Sequence, residues 1–441
     1  MKRLIFILSA ILLVGGFESA SAQDRGRAES KAEWAKMQRY AKERVNPKAI
    51  KESFKSPSGD DVDCVDINEQ PALRRPGMEG HKVQMMPKTV ELKLGDDAKP
   101  KGKDNLGEGS QAEQSVAKGR RGCPKGTVPI QRLTEEKMKN FRSLDDFHKK
   151  VPDHVGESRG RGRDKGDEEV APKRDIEEPR TGASGKHQYA HAYRTVDNWG
   201  AESVLNLWRP YTERTSEFSL SQIWVTRGGG ADLETVEVGW QKYRDLYGDY
   251  NPRLFIYFTP DNYGRSSSKP TKGCYNLTCD AFVQVNNSVY IGGAFANYST
   301  TGGTQHWIKV FWYKDGTTGD WWLKYGDTWV GYYPRSLFDA KGLKDKGAVV
   351  DFGGEIIDFQ GDSRHTQTDM GSGAFPYLGW GKAAFHRSIR YVDTNNYWRK
   401  ASGLTPKVSD RWCYDIDLKD SSGSWGSYFY FGGSGYNTYC K

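Results

Sequence analysis

A chain of 441 residues with 65 Lys+Arg, 57 Asp+Glu and a formal net charge of +8 is long enough for two or three folded units. The basic excess does not mark a nucleic-acid surface on the later part, because residues 187–441 hold 27 Lys+Arg against 26 Asp+Glu. Aromatics divide the other way: 13 of the 14 Trp lie after 187, so the large buried area is expected there.

The chain opens with Lys2 and Arg3, the apolar run LIFILSAILLV, and ASA at 20–22, the pattern of a secretory signal peptide over 1–22. The apolar run falls short of the roughly 20 residues a membrane helix requires, and no later segment is apolar enough to cross. A secreted, soluble mature protein with no membrane contact is the expectation. Export changes how the six cysteines are read, since thiols outside the cytosol are usually oxidised. Cys274 and Cys279 flank YNLT and could close a tight loop, Cys413 and Cys440 lie near the C-terminus, and Cys64 and Cys123 remain upstream. No CxxC or Cys/His spacing for a metal is present, and neither metal nor cofactor is expected.

Residues 23–60, with SKAEWAKMQRYAKERV, are rich in Ala, Lys and Glu and predict helix. Residues 61–150 are mixed, with short apolar patches such as VDCVDI and GTVPIQRL. The stretch GESRGRGRDKGDEEVAPKRDIEEPRTGASGK then combines both charge signs with Gly and Pro, predicting an exposed, flexible linker over 151–186. From 187 onward, short β-branched and aromatic runs alternate with Gly, Asn, Asp and Ser. The predicted strands are 219–227, 233–241, 253–259, 281–285, 288–295, 306–314, 320–326, 347–359, 383–393, 411–418 and 424–433. Eleven strands without a long helix between them predict antiparallel β, a sandwich or a barrel, and the lack of a fixed-period repeat argues against a propeller.

The usual nucleophile signatures are missing. GGSG at 432–435 and GSG at 371–373 lack GxSxG spacing and read as turns. Pairing of the cysteines removes a thiol nucleophile. His191, His306, His365 and His386 are dispersed, without HExxH or HxH spacing, and read as structural. Carboxylates remain. Of the 26 acids after 186, 20 are Asp, at home in turns, and six are Glu: Glu202, Glu213, Glu217, Glu234, Glu237 and Glu355. Glu is depleted in strands, yet three of the six fall in strand-like segments.

Alternation gives those positions faces. Thr235, Glu237, Gly239 and Gln241 point one way, and Val236, Val238 and Trp240 the other. Asp351, Gly353, Glu355 and Ile357 share a face opposite Phe352, Gly354 and Ile356. Glu237 and Glu355 each lie two residues from a glycine on the same face, which leaves room for a backbone or a ligand. The plain alternative is two glutamates on the solvated side of a sheet.

The segments FSLSQIWV, ETVEVGWQKYRDLYGD, RLFIYFTPDNY, GCYNLTCDAFVQVNNSVYIGGAF, VDFGGEI, TQTDMGSG, CYDI and WGSYFYFGGSGYNTYC together resemble the neprosin family of glutamic peptidases. Upstream, GDDVDCVDINEQPAL, GHKVQMMP and CPKGTVPI resemble the activation propeptide of that family. The resemblance covers about 60–150 and 187–441, in order; the charged 151–186 stretch is longer than the family pattern. Together with the signal peptide at 1–22 and the linker at 151–186 read above, it implies an activation propeptide at 23–150 of mixed α/β structure and a catalytic domain at 187–441. That domain is implied to be an all-β sandwich of two twisted antiparallel sheets with two catalytic glutamates, Glu237 in the ExGW segment and Glu355 in FGGE.

Two close carboxyl groups can share peptide hydrolysis, since their repulsion keeps one protonated in acid while the other stays ionised. The expectation is a secreted zymogen, a monomer inhibited by its own propeptide, that cleaves polypeptides at acidic pH. The resemblance also implies cutting after proline, with proline-rich chains among the substrates. Which glutamate is base and which acid stays open. Gln222, Trp224, Trp240, Gln241 and Tyr257 are candidates for the cleft lining. The alternatives are a secreted carbohydrate-binding β-sandwich, which would bind glycans without proteolysis, and a glycoside hydrolase, which also uses paired carboxylates. The triplets NLT, NNS and NYS at 276–278, 286–288 and 297–299 fit the N-glycosylation pattern.

Overall fold

The computed structural model describes residues 27–89, 91–102, 104, 106–114, 122–150, 185–264, 266, 272–359 and 364–441. The expected signal peptide at 1–22 and all but the last two residues of the expected linker at 151–186 lie outside them.

Among the described residues of the N-terminal part, α-helix is confined to Lys31–Glu43 and two short segments, Glu135–Met138 and Leu144–His148. The first starts where Ser30 accepts a hydrogen bond from the Glu33 N–H at 3.0 Å, a side-chain cap for one of the free amides of the first turn. The rest of the predicted 23–60 helix is corrected: Ile50–Lys55 is a strand, its residues alternating between half-buried and exposed with period two. This strand (β1) pairs with β2 (Asp61–Asp66) and β2 with β5 (Thr127–Gln131) in a three-stranded antiparallel sheet. A disulfide ties Cys64 on β2 to Cys123. Between them β3 (Lys93–Leu94) and β4 (Ser110–Gln111) are two-residue strands that leave this sheet and join another.

Two sheets make up the rest. The first contains, in spatial order, β11 (Cys274–Tyr275), β10 (Arg253–Thr259), β9 (Glu234–Tyr243), β8 (Phe218–Arg227), β16 (Gly347–Asp358), β6 (Lys186–Asn198) and β19 (Thr405–Val408), all antiparallel. The second runs β12 (Val283–Gln284), β15 (Thr328–Tyr333), β14 (Trp321–Tyr325), β13 (His306–Lys314), β7 (Gly200–Asn206), β17 (Ala384–Val392) and β18 (Tyr397–Lys400), with β21 (Ser427–Gly432) on β17 and β20 (Asp415–Asp420) on β21. Their facing sides form one core: Ile223, Val238, Trp240, Ile256, Phe352 and Ile356 from the first sheet meet Leu205, Val310, Trp312, Leu323, Phe429 and Phe431 from the second. This is the expected sandwich.

From residue 186 onward, the strands missed by the sequence are β6, β7, β11, β15, β18 and β19. The predicted strand 288–295 does not form: Gly292, at φ +86°, turns the chain, leaving single bridges at Ala294 and Phe295. Of the predicted 281–285 strand only Val283–Gln284 pairs. Asn276 of the NLT triplet is buried, its carbonyl oxygen accepting from the Ile256 N–H at 3.1 Å, which closes that position to a glycan.

The N-terminal part embraces the sandwich from both sides. Over the outer face of the first sheet, Trp34, Met37, Met138, Phe141 and Phe147 pack on Phe218, Leu220, Tyr243, Phe255 and Tyr257. Over the second, the segment before β5 runs as a strap, with β3 parallel to β18 and β4 parallel to β13. There Leu92 and Ala98 cover Phe311, Tyr313 and Trp398, and Leu106 covers Phe385 and Trp425.

Candidate active site

The outer face of the first sheet carries one side of every strand's alternation, and β8 is its axis. Gln222 at the middle of β8 stands directly across from Gly239 on β9 and from Gly353 on β16. Both glycines are imposed by the closeness of the strands, since a Cβ on Gly239 would lie 1.9 Å from the Ser221 carbonyl oxygen and one on Gly353 2.5 Å from that of Ala190. The space they leave flanks Gln222 on either side. Two residues from each glycine, on the same face, stand Glu237 beside Trp224 and Glu355 beside Leu220, diagonally across Gln222.

The two carboxylates meet at a single cation. Lys150 Nζ lies 2.7 Å from Glu237 Oε2 and 2.8 Å from Glu355 Oε2. The side chains of Glu237, Glu355 and Lys150 are exposed by only 0%, 1% and 3%. The lysine is seated by the cleft wall: its Nζ is 5.4 Å from the centre of the Trp224 ring, its N–H donates to the Tyr257 hydroxyl at 3.2 Å, and its carbonyl accepts from Tyr275 at 3.3 Å.

The remaining lone pairs are satisfied differently on the two carboxylates. Glu237 Oε1 accepts from the hydroxyls of Thr235 at 2.8 Å and Tyr263 at 2.7 Å. Glu355 Oε2 accepts from the Gln222 amide at 3.1 Å, and its Oε1 meets His187 Nδ1 at 2.5 Å. Burial alone would push the Glu355 carboxyl up, but the Lys150 ammonium and the His187 contact outweigh it and hold it at about 2. Burial pulls the Lys150 ammonium down, and its two carboxylate neighbours more than offset that, so it stays charged. A buried ion triad of this kind is costly to form and more costly to break on one side.

Three of the five candidate lining residues, Gln222, Trp224 and Tyr257, stand at the carboxylate pair. Gln241 shares the face but sits one step further along β9, its amide donating to Tyr275 at 3.0 Å and its carbonyl accepting from Tyr247 at 3.2 Å. Trp240 is corrected: alternation turns it away from the cleft into the core between the sheets, where Nε1 donates to the Asn206 carbonyl at 2.9 Å. The cysteines pair as Cys64–Cys123, Cys274–Cys279 and Cys413–Cys440. His365 lies near the last pair, but sulfurs bonded to each other are not metal ligands.

Lys150, His187 and Tyr263 were not found from the sequence. His187 carried a signal, since HQYAHAY alternates ring-bearing and smaller residues with period two, the pattern of a β-strand. Tyr263 enters from a turn in which it and Asn262 both have positive φ (57° and 52°), and nothing local predicts where that turn points. Lys150 is one of many lysines in a charged stretch, and only the fold singles it out.

A family model described as Neprosin matches residues 215–434, and one described as Neprosin activation peptide matches 53–193. Among solved structures, the chain is similar to Scytalido-glutamic peptidase crystallised with a peptide based transition state analog, at 10% identity and a TM-score of 0.31, over 56% of this chain and 98% of that one. It is also similar to SCP-B, a member of the Eqolisin family of peptidases in complex with the tripeptide Ala-Ile-His, at 9% identity and a TM-score of 0.29, over 56% and 98%. The agglutinin CG-16 from chicken liver follows at 9% identity and a TM-score of 0.20, over 38% and 95%.

Proposed function

Because the chain belongs to the neprosin family and carries that family's activation peptide ahead of its peptidase domain, we propose that it is the secreted zymogen of an acid-acting, two-glutamate endopeptidase. The observation that carries the reading is the Lys150 ammonium shared between Glu237 and Glu355. Two buried carboxylates on one face of a sheet need a compensating charge, and here the end of the activation peptide supplies it. The lysine takes the place of water and substrate, which is latency by occupation.

Once the lysine has gone, the pair is left with one proton between two carboxyls in acid. The ionised member takes a proton from the attacking water as its oxygen bonds to the peptide carbonyl carbon. The protonated member gives its proton to the amide nitrogen as the C–N bond breaks, and each returns to its starting state through the products. The hydroxyls of Thr235 and Tyr263 and the Gln222 amide hold the carboxyls in place. Cleavage after proline is the specificity the family resemblance suggests, with Trp224 and Tyr257 as the aromatic walls available for a proline ring.

Acid opens the site by linkage. Lys150 binds the ionised carboxylates, so each proton they take up weakens its hold, and the propeptide is released as the pH falls. The test is to acidify the purified full chain, add a proline-rich polypeptide, and sequence the fragments. New termini after proline, appearing together with shortening of the chain, are expected; a chain that neither shortens nor cuts in acid overturns the proposal.

A further inference from the structure

The donors around the two carboxyls are not of the same kind. Glu237 Oε1 is met by two hydroxyls, Thr235 and Tyr263, and a hydroxyl can donate to a carboxylate or accept from a carboxylic acid. Glu355 is met on one oxygen by the Gln222 amide N–H and on the other by an imidazole nitrogen of His187. His187 is 2% exposed, and its Nε2 is buried with no hydrogen-bond partner among the described residues. A neutral imidazole carries one N–H, and of its two nitrogens only Nδ1 has a partner, a carboxylate oxygen that can accept it. The proton therefore sits on Nδ1, aimed at Glu355 Oε1.

The ring is held in that pose by the fold. β6 pairs with β16 so that His187 lies opposite Ile357 and Tyr189 opposite Glu355. Tyr189 stacks on the imidazole with centroids 6.0 Å apart, and Phe218 from β8 presents its edge at 5.8 Å. The titratable groups around the pair are Tyr189 from its own strand, Glu355 from β16, Glu237 from β9, Tyr257 from β10, Tyr263 from the turn after it, Tyr275 from β11, and Lys150 from the activation peptide.

We infer that His187 is the positioning residue that breaks the symmetry of the pair: its Nδ1–H keeps Glu355 as the ionised member, the base that takes the proton from water, and leaves the transferable proton on Glu237. This rests on the two-glutamate reading above. When Lys150 leaves, the amide and imidazole donors stay on Glu355 and the ambivalent hydroxyls stay on Glu237, so the asymmetry outlasts activation. A second consequence concerns processing. His187 is the second residue of β6, so an activating cut has to fall before it, and a chain trimmed beyond His187 loses the donor.

The experiment compares acid-activated His187→Ala, His187→Asn and His187→Gln chains, with kcat and kcat/KM measured against pH on a proline-containing polypeptide. The Asn amide nitrogen can stand near the position of Nδ1, whereas the Gln amide reaches toward that of Nε2. The expected result is a fall in kcat of at least about tenfold in His187→Ala, with the acid limb of kcat/KM moving up by about one pH unit, because the ionised base has lost a donor. His187→Asn restores most of both, and His187→Gln restores neither. If His187→Ala does not fold, the Asn and Gln pair decides alone. An acid limb that stays in place, or equal behaviour of Asn and Gln, overturns the inference. Glu237→Gln and Glu355→Gln separate the two levels: if both are inactive while His187→Ala is normal, only the role of His187 fails. If either glutamine variant keeps full turnover, the two-glutamate reading fails with it.

Discussion

Asp60, in the turn between β1 and β2 of the activation peptide, places Oδ2 2.5 Å from the guanidinium of Arg253 on β10, and both side chains are buried. Lys137 reaches the other carboxylate oxygen at 2.7 Å. Burial by itself raises the Asp60 carboxyl, but Arg253 and Lys137 outweigh it and hold it at about 2. The activation peptide is thus fastened at two buried carboxylates, Asp60 on its own side and Glu355 on the other, and both are depressed by the partner across the junction.

That arrangement gives the proposed pH activation a sign and a window. A carboxyl depressed in the closed state contributes stability above its ordinary range, near 4, and loses it as the pH falls toward its depressed value. Each pH unit below the ordinary range costs the closed state about 1.4 kcal/mol for each such carboxylate. The full chain is therefore expected to hold its propeptide at pH 6, to loosen below about pH 4, and to do so with a slope of more than one proton. Size-exclusion chromatography after nicking, across pH 2 to 7, measures this; release that is independent of pH in that range contradicts it.

Asp60→Asn leaves Arg253 buried with Asp249, at 2.8 Å, as its remaining acidic partner. Breaking one side of a buried pair costs about 3–5 kcal/mol, lessened here by Asp249. The variant is expected to release its propeptide at higher pH than the parent while the processed enzyme keeps the parental kcat. Conversion at the parental pH would show that the pair does not fasten the peptide.

Lys150→Met removes the charge while keeping an unbranched stem. Two carboxylates facing each other without it repel, so the pair takes up a proton at higher pH and the closed state no longer opposes acid at that point. Faster acquisition of activity at mildly acidic pH is the expected outcome, read as the time course of peptide cleavage. A time course matching the parent would mean that latency resides elsewhere in the propeptide.

Glu237→Gln and Glu355→Gln keep the size and hydrogen bonding of the side chains and remove proton transfer. Loss of either acid or base function is expected to lower kcat by about 10²–10⁴ with little change in KM. Both variants should fold, because glutamine can still accept from the Thr235 and Tyr263 hydroxyls or the Gln222 amide. Steady-state kinetics together with a thermal melt checks both halves of the statement.

Gly239→Ala tests the closeness of β9 and β8. Its Cβ would lie 1.9 Å from the Ser221 carbonyl oxygen, with backbone on both sides of the contact and no flexible side chain to give way. Overpacking of this kind costs about 1–3 kcal/mol or more, and the shift falls on the strand that carries Glu237. A lower melting temperature together with a lower kcat is expected. Parental values for both would mean the strands can separate freely.

Much of the candidate site was legible because strands obey a period of two. Alternation put Glu237 and Glu355 on the faces they occupy and set Phe352, Ile356 and Val238 in the core, and Glu scarcity drew attention to the two acids. The other four glutamates also have specific posts: Glu202 pairs with Arg390, Glu213 with Arg364, Glu217 takes the hydroxyl of Thr366, and Glu234 accepts the Leu343 N–H. Where alternation was not applied the reading failed, as at Trp240, whose own pattern already pointed it into the core. β6 was missed because Ala and His are weak strand formers and its edge merges with a charged stretch.

The sequence by itself determined what local rules can reach: strand periodicity, the glycines that demand close approach, a narrowed set of cysteine pairings, and a family resemblance that implies Glu237 and Glu355 as partners. The tertiary structure alone decided what fills the space between those two. Lys150 is 87 residues from Glu237 and 205 from Glu355, and His187 is 168 from Glu355. No periodicity or propensity relates positions that far apart. They meet because the sheet order sets β8 between β9 and β16 and the activation peptide folds across that face, where burial makes a single ammonium the balancing charge for two carboxylates.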